Sequence, residues 1–135
     1  MKILLDTHMI IWALTDDPHL TDKARELILD SGNVIYYSIA SIWEIALKNF
    51  KSPEKCPYNE SVIDSLCHNA GFESLGIKLE HIEGVRYLSI DTKRALQNYD
   101  PFDRLLLAQA KSEDIRLLSH DSNFANYDEP CLLIV

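Results

Sequence analysis

The sequence predicts an α/β sandwich on a short, mostly parallel central sheet flanked by helices, and three observations predict it. Short apolar and β-branched runs alternate with segments of helical period. The runs at 3–5 and 132–135 are almost unbroken in apolar character, the pattern of strands covered on both faces. No repeat or low-complexity segment appears and only four glycines are present, so the 135 residues predict a single domain over 1–135.

Each element has its own signal. Lys2-Ile3-Leu4-Leu5 reads as a buried strand with Asp6 at its end. His8–Leu14 reads as a short helix stopped by Thr15-Asp16-Asp17-Pro18. Thr21 is a good N-cap for a second helix, which carries Ala24, Leu27 and Ile28 at helical spacing and stops near Ser31-Gly32. Val34–Tyr37 is a β-branched and aromatic strand. Ser38 or Ser41 then caps a helix through Phe50, in which Ile39, Ile42, Trp43, Ala46 and Phe50 share one face. A loop with two prolines over 51–60, a helix over 61–70, a strand near Phe72–Leu75 and a weaker helix over 79–89 follow. Asp100-Pro101-Phe102-Asp103 opens an apolar helix through Ala110, and Ile115–Leu118 and Cys131–Val135 complete the strands.

Composition narrows the function classes. The 47% apolar and 25% charged residues exclude wholesale disorder. No apolar run approaches the ~18–20 residues of a membrane span. Asp6 and His8 interrupt the N-terminal run before a secretory signal forms, so no membrane association and a cytoplasmic location are expected. Cys56, Cys67 and Cys131 are odd in number and widely spaced, which fits reduced thiols better than disulfides or a zinc site. With 13 Lys+Arg against 21 Asp+Glu, the net charge of −8 argues against a broad basic face for nucleic acid. It leaves room for a local basic groove, and it suits carboxylates that hold a cation.

Topology places those carboxylates. Open parallel sheets bind ligands beyond the carboxyl ends of their strands. Asp6 lies at the end of the first strand and Asp121 just past the 115–118 strand. Asp103 stands in the first turn of a helix whose N-terminus faces the same edge, and Glu44 lies early in the helix after the second strand. Gathered charges repel, by about 1 kcal/mol at ~4 Å in water and about 4 at an effective dielectric near 20. Protonation or a bound cation relieves that, and an all-oxygen donor set points to Mg²⁺ or Mn²⁺ rather than zinc. Taken singly, each acid also has a structural reading. Asp100 is an N-cap, Asp103 reads equally as a cap or a ligand, Glu44 is spaced to pair with Lys48, and Asp121 fits a turn cap. Asp6 is the hardest to explain structurally, because a charge after a buried strand is costly unless used. Ser119 is placed to bond a ligand carboxylate or a metal-bound water. His8 and His120 line the same edge, whereas His19, His68 and His81 form no constellation. No Gly-rich phosphate loop is present.

Three strings carry a family resemblance: Leu4-Leu5-Asp6-Thr7-His8 followed by Ile11-Trp12-Ala13-Leu14; Ser41-Ile42-Trp43-Glu44-Ile45-Ala46-Leu47-Lys48; and Asp100-Pro101-Phe102-Asp103-Arg104-Leu105-Leu106-Leu107-Ala108-Gln109-Ala110. In this order the sequence resembles a PIN domain across essentially its whole length, and more narrowly the VapC-type toxins of type II toxin–antitoxin systems. The resemblance implies a PIN-like three-layer sandwich and a Mg²⁺- or Mn²⁺-dependent endoribonuclease. Its acidic site falls on Asp6, Glu44, Asp103 and Asp121, with Ser119 two residues before the last acid. Implied with it are water attack on an RNA phosphodiester that leaves a 5′-phosphate and a 3′-hydroxyl, a homodimer, and inhibition by a small antitoxin. Two departures stand out. Asn98 replaces a frequent His before the DPFDR string, and His120 replaces a smaller residue. RNA contacts are expected from Arg104 and Lys48, with Lys51, Lys55 and Lys93-Arg94 as further candidates. Two other readings remain open: a PIN-like binding module without catalysis, and a phosphatase-type phosphoryl-transfer domain. Against the latter, Asp6-Thr7-His8 is not a DxD pattern. The RNA target and the number of metals are not legible in the sequence.

Overall fold

Apolar residues at every position of a strand need cover on both faces, and the observed architecture supplies it. The computed structural model describes residues 1–89 and 100–135; Lys93, Arg94 and Asn98 lie outside the described residues. Five strands, β1 (Lys2–Leu5), β2 (Val34–Ser38), β3 (Glu73–Leu75), β4 (Arg116–Ser119) and β5 (Leu132–Ile134), form one sheet in the order β3-β2-β1-β4-β5. All four neighbouring pairs are parallel, with Leu4 in register with Tyr36 on one side and Leu117 on the other.

Side chains alternate across the sheet. Ile3, Leu5, Ile35, Tyr37 and Leu118 enter one core with α1 (Thr7–Thr15), α2 (Asp22–Leu29) and α4 (Glu60–Asn69). Leu4, Tyr36 and Leu117 enter the other with α6 (Pro101–Glu113). Ile3, Leu4 and Leu5 are therefore all fully buried, each contributing about 1.5–3 kcal/mol. The result is the three-layer sandwich expected from the sequence, with a sheet that is wholly parallel.

Helix ends follow local chemistry. Asp6 caps α1, and a left-handed Asp16 (φ 51°) stops it by returning its N–H to the Trp12 carbonyl. Thr21 caps α2. Of the two serines that fit the cap of α3 (Ile39–Lys51), Ser38 takes the role, accepting from the Ala40 N–H at 3.0 Å. Asn59 caps α4. The helix expected over 79–89 is shorter: α5 (Leu79–Gly84) tightens into a 3-10 turn over Val85–Tyr87. Asp100 caps α6, which passes the expected end at Ala110 and stops at a left-handed Asp114 (φ 55°).

The apolar face of α3 turns largely outward. Ala40, Ser41, Glu44 and Ile45 are its buried residues, while Ile39, Trp43 and Phe50 are exposed, Trp43 by 56% and Phe50 by 88%. Beside Ala40 and Ile45, the inward face delivers the Glu44 carboxylate and Ser41 to the sheet edge, and large apolar side chains are left pointing outward. Among the described residues no helix is long and apolar enough to cross a membrane.

Candidate active site

Strand order reverses at β1. The chain builds β2 and β3 on one side of it, then returns to lay β4 and β5 on the other. Open α/β sheets bind ligands at the crevice such a reversal leaves at the carboxyl ends of the strands. Asp6 follows β1 there, and Ser119 and Asp121 stand at the end of β4.

Asp6 is 4% exposed, and both its oxygens are engaged. Oδ1 accepts from the Met9 N–H at 2.8 Å, and Oδ2 accepts from the Ser119 hydroxyl. Ser119 Oγ in turn accepts from the Asp121 N–H at 3.0 Å, tying the two strand ends together. Burial pushes the Asp6 pKa up, opposed by the bonds from Ser119 and Met9. Of the two roles open to Ser119, the structure gives it that of positioning a carboxylate.

Glu44 reaches the same edge from α3. It is 7% exposed; Oε1 accepts from Thr7 Oγ1 at 2.6 Å, and Oε2 pairs with Lys48 Nζ at 2.9 Å. Thr7 Oγ1 also lies 3.0 Å from Ser41 Oγ, so its single proton serves Glu44 while its oxygen accepts from Ser41. The pairing of Glu44 with Lys48 expected from their spacing is present, and it lies at the crevice.

Asp103 and Asp100 divide the roles left open between them. Asp100 Oδ1 accepts from the Phe102 and Asp103 N–H groups at 2.9 and 3.1 Å. Asp103 leaves the cap to it and faces the acids. Its pKa is pushed up to about 8 by burial first, then by the charges of Asp100, Asp121, Glu44 and Asp6. Asp121 is half-buried and caps a 3-10 turn over Ser122–Asn126, accepting from the Asn123 N–H at 2.9 Å. All four acids thus reach one edge from four separate segments and act on Asp103 or are Asp103 itself.

They are gathered, not clamped. Among the described residues, the one trio of potential ligand side chains whose donor atoms all lie within 4.8 Å is Glu80, His81 and Glu113. That trio is already satisfied: His81 Nδ1 accepts from the Lys78 N–H at 3.1 Å, Nε2 donates to Glu113 Oε1 at 2.8 Å, and Lys78 Nζ bonds the same oxygen at 3.2 Å. Gln109, fully buried, links it to the sheet by accepting from Ser38 Oγ at 2.5 Å. His81, which forms no constellation in the sequence, locks α5 to α6. The acid edge fits a hard cation for a different reason. It concentrates oxygen donors and negative charge, with Lys48 offsetting one of them at Glu44.

The candidate RNA contacts sit beside it. Lys48, with Lys51 and Lys55, borders a groove next to His8. Arg104 is half-buried, and its Nε donates to the Tyr127 hydroxyl at 3.2 Å. His8 and His120 join Asp6, Trp12 and Asp121 around a cavity of about 210 Å³. Thr7 and Gln109 stand in the family strings without a role of their own, and Ser41 is read there only as an alternative cap. Short hydroxyls and an amide inside apolar helices are the signal that marks them, since buried polar groups need partners.

No curated protein matches the chain at a significant level. Solved structures do share the fold. A VapBC2 structure from Rickettsia felis, bound to a DNA fragment from its promoter, superposes with a TM-score of 0.69 at 20% identity, covering 100% of this chain and 98% of that one. A DNA-bound VapBC structure from Salmonella typhimurium gives 0.66 at 18% identity, with 100% and 97% coverage. VapC20 of Mycobacterium tuberculosis, described as a sarcin–ricin loop cleaving toxin, gives 0.62 at 13% identity, with 91% and 92% coverage. The family model of the PIN domain matches residues 3–130, so the chain belongs to the PIN domain family.

Proposed function

We propose that this protein is a Mg²⁺- or Mn²⁺-dependent endoribonuclease and the VapC-type toxin of a toxin–antitoxin pair. The observation that carries the reading is the gathering of Asp6, Glu44, Asp103 and Asp121 at one sheet edge from four separate segments, where burial and then the neighbouring carboxylates push the Asp103 pKa up to about 8. Such an arrangement costs stability in the protein alone and is relieved by a divalent ion. Asp6, Glu44, Asp103 and Asp121 are the residues that would hold it. A bound Mg²⁺ or Mn²⁺ supplies an acidified water and charge neutralisation at a phosphoryl oxygen.

The chain's own groups do the rest. Ser119 and the Met9 N–H fix the two oxygens of Asp6, and Thr7 with Lys48 fixes those of Glu44, so the carboxylates are oriented before any ligand arrives. With its pKa pushed up to about 8, Asp103 would hold a proton near neutral pH while the site is without a cation. Lys48 and Arg104 would take the RNA backbone on either side of the scissile phosphate, with products bearing a 5′-phosphate and a 3′-hydroxyl. The exposed apolar residues Ile39, Trp43, Leu47 and Phe50 on α3 support a protein-covered face, assigned to a second copy or to an antitoxin.

The test is cleavage of total cellular RNA by antitoxin-free protein in Mn²⁺ or Mg²⁺, beside chelated and Asp103→Asn samples. Discrete fragments that vanish in both controls support the reading. Cleavage that survives Asp103→Asn removes the carboxylate site from it, and an inert, folded, metal-loaded protein overturns the nuclease.

A further inference from the structure

The cavity beside the acids has walls of two kinds. Asp6 and Asp121 form one, and the rings of His8, Trp12 and His120 form the other. Trp12 is the hub. His8 stacks on it at 5.9 Å between ring centroids and 29° between planes, and His120 meets it edge-on at 6.2 Å and 65°. His19, outside the cavity, stacks on Trp12 at 5.4 Å and 20° and braces it from the loop after α1. His8 and His120 are exposed while Trp12 is half-buried against the α1–α2 core, so the rings form an anchored but accessible surface. A Trp with three ring neighbours is more than core packing requires, since all three of those rings are exposed.

The lining chemistry selects the occupant. Among the described residues no lysine or arginine borders this cavity, and two carboxylates do, so a free phosphate or another anion is disfavoured within it. The ring faces suit a flat π-system. A nucleotide whose phosphate lies at the acid edge carries its base one sugar away, within reach of the rings. About 210 Å³ admits one base. We infer that Trp12, with His8 and His120, forms a stacking subsite for the nucleobase next to the scissile phosphate of a single-stranded RNA.

This inference rests on the nuclease reading, and it makes Trp12 a specificity-determining residue, with the acids doing the chemistry. Stacking of one base on an aromatic side chain corresponds to about tenfold or more in affinity. It tolerates every base, so the subsite selects unpaired RNA over duplex and a favoured base only weakly.

The experiment has two readouts. Trp43→Phe leaves Trp12 as the sole tryptophan of the chain, which contains two. That protein in Mg²⁺ is titrated with the four ribonucleoside 5′-monophosphates and, separately, with ribose 5-phosphate. Saturable quenching of Trp12 emission by the nucleotides and none by the sugar phosphate is expected. In cleavage assays, Trp12→Leu raises KM for single-stranded RNA about tenfold with little change in kcat and spreads the cleavage positions, while Trp12→Phe restores both. Should Trp12→Leu fail to fold, the exposed His120→Ala reads the same KM change at smaller size. RNA cleaved normally, with unquenched Trp12 and unchanged KM in these variants, overturns the subsite and leaves the nuclease standing. A folded, metal-loaded protein that cleaves no RNA takes both down.

Discussion

Helix α6 carries an acid near each end, and the two titrate in opposite directions. Asp103, in the first turn, has its pKa raised to about 8, while Glu113, in the last, has its pKa lowered. The helix dipole predicts the reverse, because its positive end favours an anion in the first turn and its negative end disfavours one in the last. Local surroundings override it at both ends. Glu113 accepts from His81 and Lys78, in that order of effect. Asp103 is buried among other carboxylates. Glu113 is paired with basic side chains, whereas Asp103 faces carboxylates. The tighter group of potential metal donors is therefore the structural one, and the looser, acid-rich group is the candidate site.

Substitutions can break that contrast, and the largest expected effect is on the acid side. Asp6→Asn keeps an N-cap for α1 of about equal quality and removes only charge. Ser119, whose hydroxyl accepts as well as donates, meets the new amide. Metal-dependent cleavage is expected to fall by more than about 100-fold, beyond the range of outer-sphere losses, with thermal stability of the metal-free protein held or raised. A melting curve beside a rate assay checks it. A destabilised Asp6→Asn protein makes Asp6 a structural acid like Glu113.

The complementary change is His81→Ala. It removes a fully buried ring bonded to Glu113 and the Lys78 backbone, leaving Gln109 with one partner fewer. A stability loss of about 2–4 kcal/mol in denaturant titration is expected, with the rate per folded molecule within about twofold of the parent. A selective loss of metal-dependent rate instead identifies the trio as part of the catalytic apparatus. Smaller again is Ser119→Ala, which deprives Asp6 Oδ2 of its donor. Metal affinity or activity should drop about 10–100-fold, measured by Mn²⁺ titration, with the fold intact.

The sequence made strands legible wherever burial on both faces left an unbroken apolar run, as at Ile3–Leu5. It made the acid edge legible because strand-end topology converts positions into places. It does not say which way the apolar face of α3 turns: Ile39, Trp43 and Phe50 are exposed while Ser41 and Glu44 turn inward. Periodicity reports which side chains share a face, and it cannot report whether that face meets the chain's own core or another molecule. The ambiguity at Asp103 had a similar origin. A carboxylate three residues past an N-cap has cap geometry whether or not it caps, and only the bonds of Asp100 to two N–H groups show that the cap was already filled. His81 was invisible for a third reason, since its partners at Lys78, Gln109 and Glu113 are joined by the fold and not by a spacing.

The finest test of the contrast is the pH dependence of stability in the absence of metal. The folded protein holds the Asp103 proton up to about pH 8, whereas the unfolded chain releases it near the reference value of 3.8. Between those limits the folded state binds more protons than the unfolded one, so this group's contribution is full below the lower limit and declines as pH rises through the window. Glu113 has the opposite sense. Its contribution is present above its reference value of 4.5 and is lost on acidification below it. Metal-free protein should accordingly melt at progressively lower temperature from pH 5 to pH 8, and Asp103→Asn should flatten that slope while leaving the acid-side loss in place. Mg²⁺ at ten times its dissociation constant adds about 1.4 kcal/mol. It should add more at pH 8 than at pH 5, because at pH 5 it must first displace the proton on Asp103. A metal-free melting temperature that climbs from pH 5 to pH 8 would mean that the carboxylates around Asp103 are already balanced, and the distinction between the two ends of α6 would be lost.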